Sequence, residues 1–231
     1  MSSPPSSISS RSVRAARQAR AALDRASRRA IMAAAVALGA TFLMGTGAHA
    51  APSVGQLAPD FVAVDTTGKQ HRLSDFAGKF VVLEWTNPGC PFVRKHYGSG
   101  NMQSTQKAAA DKGVVWLAIN STERAASDYL PPPQLAAWMK EKSAAASHVL
   151  MDEDGTIGRA YGARTTPHLY IVDPKGVLVY AGGIDSIASA RADDIKNATN
   201  YVTRALGEAF GGQAISAAAT RPYGCSIKYK I

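Results

Sequence analysis

Residues 80–97 read FVVLEWTNPGCPFVRKHY. The first six form a continuous apolar run of strand length, as expected of a strand covered on both faces. From Cys90 to Tyr97 the pattern is that of an opening helix. Pro91 stands in its first turn, where a missing N–H costs nothing, and Val93 and Tyr97 lie four apart on one face. Cys90 therefore falls just beyond the carboxyl end of a buried strand, where open α/β sheets bind their ligands. It also falls at a helix start, whose unpaired N–H groups favour negative charge. A thiol placed there ionises more readily, and the thiolate is the reactive form. The alternative is a small buried hydrophobe. Gly89 and Pro91 favour an accessible, reactive thiol, because they mark a surface turn rather than the interior of an element. Arg94, Lys95 and His96, four to six residues further on, are candidates to place positive charge near Cys90.

Working outward, strands and helices alternate. GVVWLAIN (residues 113–120) is a second buried strand, HVLMD (148–152) a short third, and PHLYIVDPKGVLVYAGG (167–183) a hairpin turned at DPKG. Helical patterns fill residues 102–112, 131–146 and 193–210, and DGTIGRAYGA (154–163) reads as a turn and short helix closed by Gly162. Asp152, Asp154 and Gly155 lack a full calcium-loop pattern and read as a turn and helix cap. Trp85, Trp116, Tyr170 and Tyr180 fall in strand runs and are assigned to the core. The expected fold class is α/β, with parallel strands joined by helical crossovers and antiparallel strands added at one side.

The 231-residue chain has 26 basic and 17 acidic side chains, a net charge of +9. Seven of the arginines and one of the acids lie in residues 1–50, leaving +3 on the remainder. That distribution excludes a basic nucleic-acid-binding stripe as an inference from charge. The first 50 residues carry an arginine-rich segment, the apolar IMAAAVALGATFLMG and an A-x-A site at 48–50. Together these describe a cleavable export signal cut near Ala50–Ala51; uncleaved, it would be the chain's membrane anchor. Arg28–Arg29 ahead of the apolar run resemble a twin-arginine signal, and an ordinary secretory signal fits the same residues. The organisation expected is a leader at 1–50, one domain at 51–212 and a tail at 213–231 that carries Cys225. In an oxidising compartment two cysteines can form a bridge.

Two longer segments, VGQLAPDFVAVDTTGKQHRLSDFAGKFVVLEWTNPGCPF (54–92) and MDEDGTIGRAYGARTTPHLYIVDPKGVLVYAGGID (151–185), resemble the peroxiredoxin-like redoxins of the AhpC/TSA type. The resemblance spans about residues 54–210. It implies a thioredoxin-like fold: a central mixed sheet flanked by helices, with an N-terminal redoxin-type extension. It also implies a cis Thr166–Pro167 bond facing Cys90, and a pocket formed by Thr86, Asn87, Pro88, Gly89, Pro91, Thr166 and Pro167. The activity implied is that of a thiol-based oxidoreductase acting on a peroxide or a disulfide. It would be restored by a thiol reductant protein or a small thiol, and no organic cofactor is implied.

The departures from the family pattern are equally informative. In the peroxiredoxin pattern P-x-x-x-T-x-x-C, Asn87 stands at the threonine position and Leu83 at the proline position. The C-x-x-C of thioredoxins is also missing, since Val93 holds the second position, so a resolving thiol must come from elsewhere. Cys225 in RPYGCSIKYK is the candidate, and Gly224 beside it permits a sharp turn. Three states of the pair remain open: a bridge that opens and closes, a permanent structural bridge, or none. Arg164 is a candidate cation for a thiolate or an anionic sulfur intermediate. Cys90 with His96 and His168 is an alternative metal-binding set, resembling the copper chaperones of this fold but without their C-x-x-x-C pair. His168 alone reads as packed beside the proline.

Overall fold

The computed structural model describes residues 51–230, and the leader lies outside them. Strands β1 (Val62–Asp65) and β2 (Gln70–Arg72) form an antiparallel hairpin, followed by a 3-10 turn at Leu73–Phe76. Next come β3 (Val81–Trp85), α1 (Pro91–Gly98), α2 (Asn101–Ala110), β4 (Val115–Asn120), α3 (Pro132–Glu141) and β5 (His148–Met151). The chain continues through α4 (Thr156–Tyr161), β6 (Thr165–Thr166), β7 (His168–Val172), β8 (Leu178–Gly182), α5 (Tyr201–Phe210) and β9 (Cys225–Ser226). Seven strands make one sheet in the order β2-β1-β5-β4-β3-β7-β8, and β6 pairs with β9 in a second. Within the large sheet β3, β4 and β5 run parallel, and the other pairings are antiparallel.

Period-two alternation sends each central strand's side chains to two separate cores. Val82, Trp116, Ala118, Ile171 and Tyr180 face α1, α2, α3 and α5. Val81, Leu83, Leu117, Ile119 and Tyr170 face the other way, onto α4 and the N-terminal segment around Phe61. Because both faces are covered, β3 and β4 are buried along their whole length, which explains their largely apolar sequences. Trp85, Trp116, Tyr170 and Tyr180 are core residues as expected.

Two helical segments differ from the sequence reading. Residues 193–210 do not form one helix: a 3-10 turn at Ala192–Asn197 precedes α5. Asn200 interrupts, because its side-chain oxygen accepts the Thr203 N–H at 3.0 Å as a helix cap and its backbone bridges Asp185. Residues 131–146 are helical only through Glu141, since Ser143 turns at φ 52°. Between α1 and α2, Gly100 at φ +78° allows the chain to bend while keeping two helices in contact.

Glu84 lies inside the apolar run on the α-helical face of β3, fully buried. It accepts hydrogen bonds from Trp116 Nε1 (2.7 Å), Tyr97 OH (2.9 Å) and Gln106 Nε2 (3.1 Å). Burial nonetheless raises its proton affinity above the ordinary carboxyl value, with the three donors opposing. The folded state therefore holds this proton to higher pH than the unfolded chain does. The associated stability is complete below the unfolded pKa and declines as pH rises toward the folded one. Thermal melts between about pH 4 and pH 7 should show the wild type losing stability relative to Glu84→Gln. Parallel curves would show that Glu84 is ionised in the fold.

Candidate active site

Cys90 caps the N-terminus of α1. Its carbonyl accepts the Arg94 N–H at 3.0 Å, and its own N–H donates to Asn87 O at 3.0 Å. Asn87 holds the approach in shape. Its carboxamide oxygen accepts the Gly89 N–H at 2.7 Å, and its nitrogen donates to Thr122 Oγ1 at 2.9 Å and Asp128 Oδ2 at 3.1 Å. Thr86 prolongs β3, its N–H donating to Ile119 O at 2.9 Å, while its buried hydroxyl finds no partner among the described residues. Pro88 is buried against this turn, its carbonyl accepting Arg94 Nε at 2.7 Å, and Pro91 is exposed at the first turn. Facing them, the Cys90 thiol donates to the carbonyl of Thr166 at 3.0 Å, and the Thr166–Pro167 bond is cis.

The tail completes the site. Strand β9 pairs with β6 so that Cys225 lies opposite Thr166 and Ser226 opposite Thr165. One residue, Thr166, thus accepts the first thiol and is cross-strand neighbour to the second. Gly224 sits at φ +137°, and a Cβ there would stand 2.0 Å from Thr166 O, so only glycine permits the approach. Both thiols are free. The Cys225 thiol is pushed up to about 12, first by burial and then by the Cys90 thiol beside it.

This tail also corrects one expectation. Cys90 is not accessible: it is 1% exposed and joins the apolar core, with Cys225 and Tyr223 packed against it. The turn at Gly89 does lie near the surface, but the returning chain roofs the sulfur. Ile227 N donates to Arg164 O at 3.0 Å, Glu123 N to Lys228 O at 2.9 Å, and Tyr229 OH to Ala163 O at 2.7 Å. Lys228 Nζ lies 2.7 Å from Asp128 Oδ2, and Tyr229 stacks under Arg159 at 4.9 Å.

The cations of α1 do not gather at the sulfur. Lys95 is buried and turns to Asp185, 3.3 Å from Oδ2, and to the carbonyl of Ile187 at 3.2 Å. His96 is buried too. Its Nδ1 accepts Asn101 Nδ2 at 2.8 Å, which leaves Nε2–H to donate to Tyr223 OH at 3.1 Å. Tyr223 OH in turn donates to the other oxygen of Asp185. Burial lowers the His96 proton affinity to about 4, against the pull of Asp185. His168 is buried beside Pro167 with Nδ1 3.3 Å from Tyr170 OH, and burial followed by Arg164 brings it to about 3. Cys90, His96 and His168 therefore form no metal-binding group among the described residues. Arg164 is exposed at the edge of β6.

The sequence profile of the AhpC/TSA family matches residues 54–181. The chain belongs to the AhpC/TSA family. Among curated relatives of this AhpC/TSA chain, the thiol-disulfide oxidoreductase ResA of Geobacillus thermodenitrificans (strain NG80-2) is 28% identical over 126 residues, 54% of this chain and 67% of that protein. The thioredoxin-like protein YneN of Bacillus subtilis (strain 168) is 32% identical over 124 residues, 54% of this chain and 68% of YneN. A solved structure of a hypothetical protein from Sinorhizobium meliloti 1021 superposes with a TM-score of 0.65 at 23% identity, over 78% of this chain and 97% of that one. The thioredoxin-like fold is thereby established for this AhpC/TSA domain, with the β1–β2 hairpin as its N-terminal extension. Sequence reasoning missed the clasp of Lys95, Asp185 and Tyr223, and the bracket of Asn87 and Asp128. Their only signal was proximity, with Tyr223 two residues ahead of Cys225 and Lys95 five residues past Cys90.

Proposed function

We propose that this protein is an exported thiol–disulfide oxidoreductase in which Cys90 exchanges with the substrate and Cys225 resolves. The observation that carries the reading is the shared anchor at Thr166: its carbonyl accepts the Cys90 thiol, and its strand partner is Cys225. Cys90 as thiolate attacks one sulfur of a substrate disulfide, and the other sulfur leaves as a thiolate. Cys225 then loses its proton and attacks the Cys90 sulfur, releasing the second substrate thiol and leaving a Cys90–Cys225 disulfide. Two electrons from an external thiol reductant, protein or small molecule, restore both thiols. The raised proton affinity of Cys225 fits the second role, since it stays protonated until an acceptor is available. Arg164, exposed just before β6, is the candidate cation for a departing thiolate. ResA, a thiol-disulfide oxidoreductase by name, supports the disulfide as substrate.

A peroxide is the less favoured substrate. At the position where peroxiredoxins present a threonine hydroxyl, Asn87 has its carboxamide spent on Gly89, Thr122 and Asp128. Export follows from the leader at 1–50, with residues 51–212 as the catalytic domain and 213–231 as its closing tail. Among the described residues no helix is long and apolar enough to cross a membrane.

Stopped-flow mixing of the reduced protein with an oxidised protein disulfide and, separately, with hydrogen peroxide tests the assignment. The expected result is rapid disulfide reduction, with peroxide consumed no faster than by a free thiol. Peroxide turnover well above the free-thiol rate would make the protein a peroxidase instead, and inertness toward both would remove the enzyme.

A further inference from the structure

At the far edge of the large sheet, beyond β4, the hairpin β1–β2 and the start of β5 bring three metal-ligating side chains together. Asp65 ends β1, His71 lies in β2 and His148 opens β5. His71 Nε2 is 2.8 Å from Asp65 Oδ2, and His148 Nδ1 is 4.0 Å from the same oxygen. One donor atom from each residue lies within 4.8 Å of the other two. The two imidazoles stack, their centroids 3.9 Å apart and tilted by 33°. Phe76 covers them, 6.4 Å from the His71 ring and 5.8 Å from that of His148.

The carboxylate is already oriented. Its Oδ1 accepts Thr67 N (2.8 Å), Thr67 Oγ1 (2.6 Å) and Lys69 N (3.0 Å), which leaves Oδ2 as the oxygen facing both rings. These donors and His71 hold Asp65 well below the usual carboxylate range despite its burial, so it is a standing anion. Burial, followed by the charge of His71, lowers the proton affinity of His148 and favours its neutral, ligating form. Two imidazoles and one carboxylate oxygen are a donor set that suits zinc and its first-row neighbours. Donor atoms around a tetrahedral zinc stand roughly 3.3 Å apart, so the 2.8 Å pair must open slightly and the wider spacings, none beyond 4.8 Å, must close. His71 and Asp65 are nearly sealed, whereas the His148 side chain is 28% exposed and supplies the entry path.

We propose that Asp65, His71 and His148 bind one divalent first-row transition-metal ion of the zinc type, with a fourth position open to solvent beside His148. On binding, the metal takes the place of the hydrogen between His71 Nε2 and Asp65 Oδ2, and His71 ligates as a neutral ring with its proton on Nδ1. The ion would join β1, β2 and β5 at the edge of the sheet opposite the β7–β8 hairpin.

The test is calorimetric titration of the chelator-treated, tag-free protein with Zn²⁺, alongside visible absorption with Co²⁺. Both are run on wild type and on a Cys90→Ser/Cys225→Ser protein, which removes thiol ligands. One equivalent should bind in the thiol-free protein, and Co²⁺ should give a tetrahedral visible spectrum without sulfur charge transfer. His148→Ala, at a partly exposed position, should weaken binding by more than about 100-fold, beyond the cost of losing an outer-shell partner. Should the double variant fail to fold, the same loss of one equivalent is read between wild type and His148→Ala. Absence of stoichiometric binding, or binding indifferent to His148→Ala, would overturn the proposal and leave Asp65–His71 as a hairpin tie.

Discussion

In the Cys225→Ser protein, a disulfide substrate is expected to remain attached to Cys90. Cys90 can still attack, but no second thiol lies across from Thr166 to displace the substrate. The adduct should appear in intact-mass spectra under non-reducing conditions at close to one per chain. Multiple turnover with a slow external thiol should fall by about 10-fold or more, because resolution passes from a neighbouring group to a solution reactant. Cys90→Ser should form no adduct and lose activity by about 1,000-fold or more, as expected when a nucleophile is removed. Wild-type turnover in Cys225→Ser would make the tail thiol a bystander. An adduct on Cys225 in the Cys90→Ser protein would reverse the roles.

The second large effect is expected at Gly224. Its backbone runs against Thr166, where a Cβ would stand 2.0 Å from the carbonyl oxygen and 2.7 Å from the carbonyl carbon. Neither atom can yield, because Thr166 is held between Cys90 and β9. Gly224→Val should lift β9 off β6 and cost roughly 3 kcal/mol, or about 6–12 °C in Tm. The same displacement uncovers Cys90. Alkylation of the folded, reduced protein at Cys90 should therefore accelerate by about 10-fold or more, since local opening would no longer limit it. Peptide mapping after a brief pulse of alkylating reagent reads this directly. Unchanged labelling alongside a lowered Tm would mean that the sulfur is reached by a route other than the roof.

The fold was legible where patterns were local. The mainly apolar runs at 80–85 and 113–120 announced strands covered on both faces, and Pro91 after Cys90 announced a helix start. Asn200 was harder to read, because a capping side chain within an amphipathic stretch looks like any polar helical residue until its bond to Thr203 is seen. Residues 90, 166 and 167 were brought together by the family resemblance, and the Cys90 thiol donates to Thr166 O beside the cis bond. The burial of Cys90 could not be read there. It depends on a tail 135 residues away in sequence, and no periodicity encodes so distant a pairing. The same limit hid Lys95, whose chemistry points to solvent and whose partner Asp185 lies 90 residues on.

The clasp of Lys95, Asp185, His96 and Tyr223 is polar and desolvated, and that composition sets how the roof behaves. A desolvated ion pair returns little net free energy over its separated, hydrated partners, but it tolerates few geometries. An apolar seal of the same size would adhere more strongly and slide more easily. Fastening of this polar kind acts as an alignment key. In the proposed cycle that key would return residue 225 to one place, across from Thr166 and level with the sulfur of Cys90.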